Sequence, residues 1–179
     1  IEAWWMAFQD LGYVPPSPLA LPPNPSSPRL VFAEGEVALG STPDEGFIFD
    51  NEKWRHIVQV GAFDIDAAPM TEGGFVAFVE AGGYRQQAAW SEAGWTWREA
   101  NRITHPVYWR KQDGAWQVRR FDQWQALVPD ATLLHVNHFE AEACAAWLGR
   151  QLPTAAQWVR ATQSPEFLSE QAWEWLREP

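Results

Sequence analysis

The stretch HVNHFEAEACAAWLGRQLPTAAQW, residues 135–158, contains two of the four histidines of the chain and its single cysteine. His135 and His138 lie three residues apart with Glu140 nearby, and imidazole and carboxylate groups are common metal ligands. The two histidines straddle a predicted helix start instead of sharing a helical face, which disfavours a metal site. Cys144 has no basic neighbour and no helix N-terminus that would lower its pKa. We therefore predict that Cys144 is a buried, unreactive thiol.

The other residue types that could do chemistry are isolated. His56 lies in a predicted strand, His105 precedes a proline, and Ser41 is not in a nucleophile elbow. Two acidic pairs have the setting of solvated edges, namely Asp64 with Asp66 and Glu140 with Glu142. The residues by themselves therefore predict no catalytic residue and no metal ligand in this chain.

Two polar pairs at a spacing of three predict where helices begin around this stretch. Asn137 precedes Glu140 and Thr154 precedes Gln157, and each pair has the form of a capping box. In such a box the two side chains satisfy backbone N–H groups that have no partner within the helix.

We accordingly predict helices over residues 137–149 and 154–162, joined by a short turn that contains Pro153. Trp147 and Trp158 are predicted to be buried, since apolar residues recur every four positions along the first of these helices.

The composition restricts the possible partners. The 179 residues carry a formal net charge of -10, so the chain as a whole repels a nucleic-acid backbone or an anionic membrane. No apolar run approaches the roughly 20 residues that span a bilayer. A single cysteine and the lack of a signal-peptide pattern predict a cytoplasmic protein. The 13 tryptophans predict either a thick aromatic core or a cleft lined with indole rings.

The chain divides into three parts by pattern. Residues 1–13 have the apolar spacing of the end of an amphipathic helix with Gly12 as its stop. Residues 14–33 are rich in proline and predict a semi-rigid linker. Residues 34–179 form the main module. A helix that leads directly into a linker has nothing of its own to pack on, so we expect it to belong to an upstream domain.

The main module has the pattern of an α+β fold with much irregular chain. Short segments of strand type, EVALG, HIVQVGAFDID and AWQVRRF, alternate with turn residues, and three helical stretches interrupt them. The first predicted helix is capped by Thr71 and buries Phe75, Val76, Phe78 and Val79.

Residues 135–158 resemble the motif of the formylglycine-generating-enzyme, or sulfatase-modifying-factor, superfamily. That motif runs H-V-S-aromatic-x-E-A, then A-x-x-W, then R-x-L-P-T-E-A-E-W. The resemblance extends to GEVALGS, to FIFDNEKWRHIVQVGAFDIDAAPMTEGGFVAFVEAGGY and to AWEW at residues 172–175. Ala155 and Gln157 stand where the family usually has glutamates, and Gln171 and Ala172 also depart from it. The resemblance implies a C-type-lectin-like fold.

Within that superfamily, FDNE, GGY, WSEAGWTWREA, PVYWR and IEAWWMAFQDLGYVPP resemble the ergothioneine-type sulfoxide synthases. In those enzymes a DinB-like four-helix bundle precedes the module, and its last helix carries an H-x-x-x-H-x-E motif. Glu2 matches the glutamate, which supports an iron ligand, and the last ligand histidine is expected just before Ile1. The resemblance implies a nonheme iron oxidoreductase that uses Fe(II) and O2, with iron ligands outside this chain.

The substrates that the resemblance implies are N-trimethylhistidine, whose imidazole gains a C–S bond, and a sulfur donor. A selenoneine synthase that forms the C–Se bond from a selenosugar is an alternative, and so is a non-catalytic lectin-like binding module. The family's catalytic tyrosine and substrate-binding segment follow W-E-W, so we expect this chain alone to be inactive. Trp173 and Trp175 are the predicted substrate contacts, because indole faces suit a trimethylammonium cation; core packing is their ordinary alternative.

Overall fold

The computed structural model describes residues 2–15, 28–169 and 172–177, without the side chains of residues 2–5 and 51. The described residues form a mixed α and β structure with small antiparallel sheets, which confirms the predicted α+β class. The helices are α1 (Glu2–Leu11), α2 (Glu72–Glu80), α3 (Glu92–Asn101), α4 (His138–Trp147) and α5 (Ala155–Ala161). The strands are β1 (Arg29–Phe32), β2 (Gly35–Leu39), β3 (His56–Val60), β4 (Phe63–Asp66), β5 (Trp109–Gln112), β6 (Ala115–Arg120) and β7 (Gln123–Ala126). None of the described helices has the length and apolar character needed to cross a membrane.

The chain forms two compact units that interleave along the sequence. The first unit consists of Ile1–Pro25 and Met70–Arg150, and the second of Ser26–Pro69 and Gln151–Pro179. The predicted module over residues 34–179 therefore contributes to both units. The domain boundaries stay a prediction, as does the assignment of α1 to a DinB-like bundle.

The sheet of the first unit is a three-stranded meander, β5-β6-β7, with every pair antiparallel. Asp113 and Gly114 both have positive φ and connect β5 to β6. A two-residue Asp-Gly turn of this kind matches the twist of the strands that it joins. The register aligns Trp109 with Val118, and both side chains are buried.

The first unit has an aromatic core built on α2. Thr71 caps this helix as predicted, because its Oγ1 accepts a hydrogen bond from the N–H of Gly74 at 3.1 Å. Phe75 and Phe78 are 0% exposed, which confirms the predicted face, while Val76 and Val79 are only partly buried. The buried residues of this core are Phe75, Phe78, Tyr84, Trp90, Trp109, Val118, Ala143 and Cys144.

Helix α3 was missed by the sequence analysis, which predicted three helical stretches after the linker where the described residues form four. Ser91 caps α3 through a 3.3 Å hydrogen bond from the N–H of Gly94 to its Oγ. Gly94 is the one fully buried position among the residues of this helix. The apolar side chains consequently form no helical stripe, which is the pattern on which the prediction depended.

The second unit contains two hairpin-like sheets, β1 with β4 and β2 with β3. Its smaller core consists of Leu30, Ala67, Ala161 and Phe167, with Phe32, Ile65 and Trp158 packed against it. β1 begins at Arg29, inside the range 14–33 that was assigned to the linker, because pairing with β4 orders this end of the range. Residues 16–27, which hold most of the predicted linker, lie outside the described residues.

Both capping boxes are present. The Asn137 and Thr154 side chains accept from the N–H groups of Glu140 and Gln157, whose own side chains accept in return. The helices that they begin, α4 and α5, are those predicted. Trp147 and Trp158 are half-buried instead of fully buried, because each lies at the margin of its core.

Candidate functional site

The W-E-W segment, residues 173–175, is an irregular stretch of the second unit with alternating exposure. Trp173 is 87% exposed and Trp175 is 47% exposed, whereas Glu174 between them is partly buried. Core packing, the ordinary alternative for these two tryptophans, is therefore wrong. Both indole rings present surface to solvent, as a binding role requires.

The Glu174 carboxyl group points away from solvent, toward Trp158. Its Oε1 atom is buried and has no hydrogen-bond partner among the described residues, and the same holds for Nε1 of Trp158. Burial raises the pKa of Glu174 to about 7, and the nearby indole N–H of Trp158 offsets only part of that rise. The segment is also tied down by its backbone, since the N–H of Arg177 donates to the carbonyl of Pro153 at 2.9 Å.

An open groove of about 530 Å³ lies elsewhere in the second unit, between β2, β3 and the start of α5. Its lining residues are Leu39, Val58, Gln59, Val60, Gly61, Thr154, Ala155, Ala156 and Gln157. The polar side chains of this lining already have partners: Thr154 and Gln157 form the capping box, and Gln59 donates to Glu36 at 2.6 Å. The groove thus supplies few polar groups that could orient a ligand.

The histidines do not come together. His135 packs edge-on against Tyr108 with ring centroids 5.2 Å apart, and burial followed by the charge of Arg120 lowers its pKa to about 4. His138 begins α4, and His56 is exposed on β3. Among residues 2–15, 28–169 and 172–177, no group of three or more His, Cys, Asp or Glu side chains could hold a metal ion. The iron ligands that the resemblance implies are expected outside this chain, so these histidines are not assigned to that site.

Cys144 lies in the aromatic core of the first unit, where it is 3% exposed. Burial raises its pKa to about 12, so the thiolate that would act as a nucleophile is strongly disfavoured. The prediction of a core thiol is confirmed.

The prediction that Glu140 and Glu142 lie at a solvated edge is wrong. Glu140 is buried, and its Oε1 accepts a 2.6 Å hydrogen bond from the hydroxyl of Tyr84. Glu142 Oε2 accepts from Ser91 Oγ, also at 2.6 Å. Both partners are more than 50 positions away in sequence, so local pattern gave no signal of them. Asp64 does lie at an exposed edge, in an ion pair with Arg29.

Burial raises the pKa of Glu140 and also that of Tyr84, and the Tyr84 hydrogen bond offsets part of the rise at Glu140. A second buried carboxylate, Glu72, accepts from a nitrogen of Arg120 and from the N–H of Val128. Glu72, Tyr84 and Glu140 are each at most 3% exposed, so these groups are enclosed by the packed core. They hold the first unit together instead of forming a reaction centre.

Helix α1 carries Glu2, whose side chain lies outside the described residues. The C-terminal end of α1 is fixed by Gln9, whose amide donates to the carbonyl of Arg119 at 2.9 Å and accepts from the N–H of Phe121 at 2.6 Å. Asp10 accepts a hydrogen bond from the hydroxyl of Tyr108. These contacts attach α1 to the end of β6 and to the residue before β5 within the first unit, and their partners lie about 100 positions away, so the helical pattern gave no signal of them.

The sulfatase-modifying factor enzyme 1-like domain matches residues 20–178. The chain belongs to this family. The match confirms the superfamily that the motif at residues 135–158 indicated.

The chain is similar to hercynine oxygenases of two mycobacteria. It is 43% identical over 118 residues to the protein of Mycolicibacterium thermoresistibile, which covers 66% of this chain and 26% of the relative. It is 42% identical over 118 residues to that of Mycobacterium tuberculosis, covering 66% of this chain and 27% of the relative. A formylglycine-generating enzyme of Streptomyces coelicolor is 32% identical over 149 residues, covering 72% of this chain and 45% of the relative. The chain thus spans about a quarter of the length of the hercynine oxygenases.

Proposed function

We propose that the chain is part of an oxygenase that acts on hercynine, which is N-trimethylhistidine. The observation that carries this proposal is the 43% identity to a hercynine oxygenase, against 32% identity to a formylglycine-generating enzyme of the same superfamily. The finer proposal is a sulfoxide synthase of ergothioneine biosynthesis, which forms a C–S bond on the imidazole ring of hercynine from a sulfur donor and O2.

Trp173 and Trp175 are the proposed contacts of this chain with hercynine. Two exposed indole faces one residue apart are suited to a trimethylammonium group, which carries its charge on methyl surfaces and cannot donate a hydrogen bond. Each such contact contributes roughly 0.5–2 kcal/mol, depending on how far water is excluded. These residues would bind and orient the ammonium end of the substrate.

The proposal that the enzyme uses iron rests only on the resemblance to the ergothioneine-type sulfoxide synthases. When bound, Fe(II) would supply the activation of O2, with ligands that we place outside this chain and with Glu2 supporting one of them. The described residues contain no group of three or more His, Cys, Asp or Glu side chains that could hold a metal ion.

A binding experiment tests the role of the two tryptophans. In a protein extended at both ends to the length of the hercynine oxygenases, W173A and W175A are each expected to weaken hercynine binding by about 2- to 30-fold. Histidine, which lacks the methyl groups, should be much less affected. W54A is the matched control, because Trp54 is also exposed in the second unit. Equal losses for hercynine and histidine, or for W54A, would contradict the assignment.

Anaerobic titration with Fe(II) tests where the metal binds. We expect no tight stoichiometric binding by the 179-residue chain, and iron binding together with oxygen-dependent turnover of hercynine by the extended protein. Product analysis with a thiol donor and with a selenosugar decides between a sulfoxide synthase and a selenoneine synthase. Hercynine binding without turnover of either donor would instead favour the lectin-like binding module.

A further inference from the structure

The exposure of the side chains alternates along residues 172–176, so the segment has an outward side and an inner side. Partly buried and exposed residues alternate along this stretch, as they do in a strand with one covered face. Trp173 and Trp175 consequently share the outward side, and Glu174 points to the inner side, where Ala172 and Leu176 are also partly buried. Glu174 therefore does not lie beside the indole faces as a counter-ion for a bound cation.

The inner side of this segment meets a fixed part of the second unit. Trp158 on α5 packs edge-on against the buried ring of Phe167, with ring centroids 6.3 Å apart, as part of the small core. The carboxyl group of Glu174 lies against this indole, and its buried Oε1 and the indole Nε1 are both without a hydrogen-bond partner among the described residues. A small rearrangement of either side chain would bring donor and acceptor together.

We propose that Glu174 is a positioning residue, which anchors the W-E-W segment on Trp158 so that both indoles are held outward for one quaternary ammonium ligand. The ligand part of this inference rests on the proposed function; the anchoring part does not. Holding two side chains in place before binding removes part of the entropy cost of ordering them at the moment of binding.

The protonation state of Glu174 gives a readout that a purely steric anchor would lack. Burial is the main cause that raises its pKa to about 7, and the group that faces it is the uncharged indole of Trp158. The folded state therefore holds this proton more tightly than the unfolded state, whose carboxyl has the ordinary value of 4.5. The contribution of Glu174 to stability is highest below pH 4.5 and falls as the pH rises from 4.5 to 7, where the buried group ionises.

Hydrogen exchange of the amides of residues 172–177 tests the anchor without any ligand. At pH 5, where Glu174 is mostly protonated in the folded chain, E174A is expected to speed their exchange by about tenfold or more, because a segment without an anchor opens at a lower free energy. E174Q keeps the shape and removes the ionisation, so the exchange rate of the unmodified chain relative to E174Q should rise between pH 4.5 and pH 7 and then level off. E166Q, at an exposed glutamate of the same unit, is the matched control and should change nothing.

Calorimetric titration with hercynine and with tetramethylammonium tests the ligand part on the same variants. E174A should bind both ligands about tenfold more weakly than the unmodified protein, and E174Q should bind them as the unmodified protein does. Unaltered exchange in E174A would overturn the proposal. If E174A does not fold, W158F and E174Q are measured instead. Amide exchange at pH 8 that is unaltered in both variants would also overturn the proposal. These titrations use the protein extended to the length of the hercynine oxygenases; faster exchange in E174A without hercynine binding by that extended protein would support the anchor and contradict the proposed function.

Discussion

The most buried of the described tryptophans lie in the first unit and the most exposed ones in the second. In the first unit Trp90 and Trp109 lie within the aromatic core, in edge-on or tilted contact with Phe78 and Phe75. In the second unit Trp54, Trp173 and Trp175 are exposed. Of the two predicted alternatives, a thick aromatic core and a cleft lined with indole rings, the core is present in the first unit, and the exposed tryptophans of the second unit are single side chains at its surface.

Buried and exposed tryptophans are expected to contribute to different properties, the buried ones to stability and the exposed ones to ligand binding. Burying a large aromatic side chain removes its apolar surface from water and stabilises the fold, at roughly 25 cal/mol for each Å². An exposed indole contributes little of this free energy, and its face remains available to a ligand. We therefore expect changes in the first unit to alter the free energy of unfolding and changes at residues 173–175 to alter binding.

The largest expected effect is on the core. F78A should lower the free energy of unfolding by about 3–5 kcal/mol, because it removes a fully buried ring and leaves a cavity. W173A should change it by no more than about 0.5 kcal/mol, as is usual for exposed positions. Denaturant unfolding of the two variants measures both. A large loss in W173A would show that its indole is packed, which would remove the contrast between the units.

A smaller effect is expected at the buried hydrogen bond between Tyr84 and Glu140. Y84F should cost about 1–3 kcal/mol, because it leaves a buried carboxylate oxygen with one partner fewer. The loss should be greatest above the raised pKa of Glu140, where the carboxylate is ionised, and smaller in acid.

T42A is the control for Y84F, since it removes a solvent-exposed hydrogen bond to Glu45 in the second unit. Its expected change is within about 0.5 kcal/mol. Denaturant unfolding of Y84F and T42A at pH 5 and pH 8 gives the four changes in the free energy of unfolding. Equal losses in the two variants would contradict the assignment of one hydrogen bond as buried and the other as exposed.

The helix caps should have similar effects in the two units. N137A and T154A each remove the side chain that accepts from the third N–H of its helix, and each should cost about 1 kcal/mol. The serine variants N137S and T154S keep an acceptor and serve as matched controls. Circular dichroism during thermal unfolding measures the four variants, and no difference between alanine and serine would show that the caps are not formed.

The smallest expected signal is thiol labelling. In the folded chain Cys144 should not react measurably with a thiol reagent over the time in which the unfolded chain reacts fully, because the group is buried and its pKa is raised to about 12. Rapid stoichiometric labelling without denaturant would show that the aromatic core of the first unit opens readily.

Much of the local structure, above all the helix starts, could be predicted from the local sequence pattern. The starts of α2, α4 and α5 were predicted because a capping side chain and its N–H partner lie three residues apart, so the sequence contains the whole interaction. The family was predicted from residues 135–158 and is confirmed by the domain match. The roles of Glu2, Trp173 and Trp175 stay predictions.

The sequence by itself therefore determined the caps of α2, α4 and α5 and the segments of β2, β3, β4 and β6, since each depends on neighbours along the chain, and its motifs indicated the family. Only the tertiary structure decided that Glu140 is buried under Tyr84 and that Gln9 fixes the end of α1. It alone also decided that Trp173 and Trp175 face solvent while Glu174 faces Trp158. The physical reason is that the burial of a side chain depends on residues that are distant in sequence, and local spacing carries no information about them.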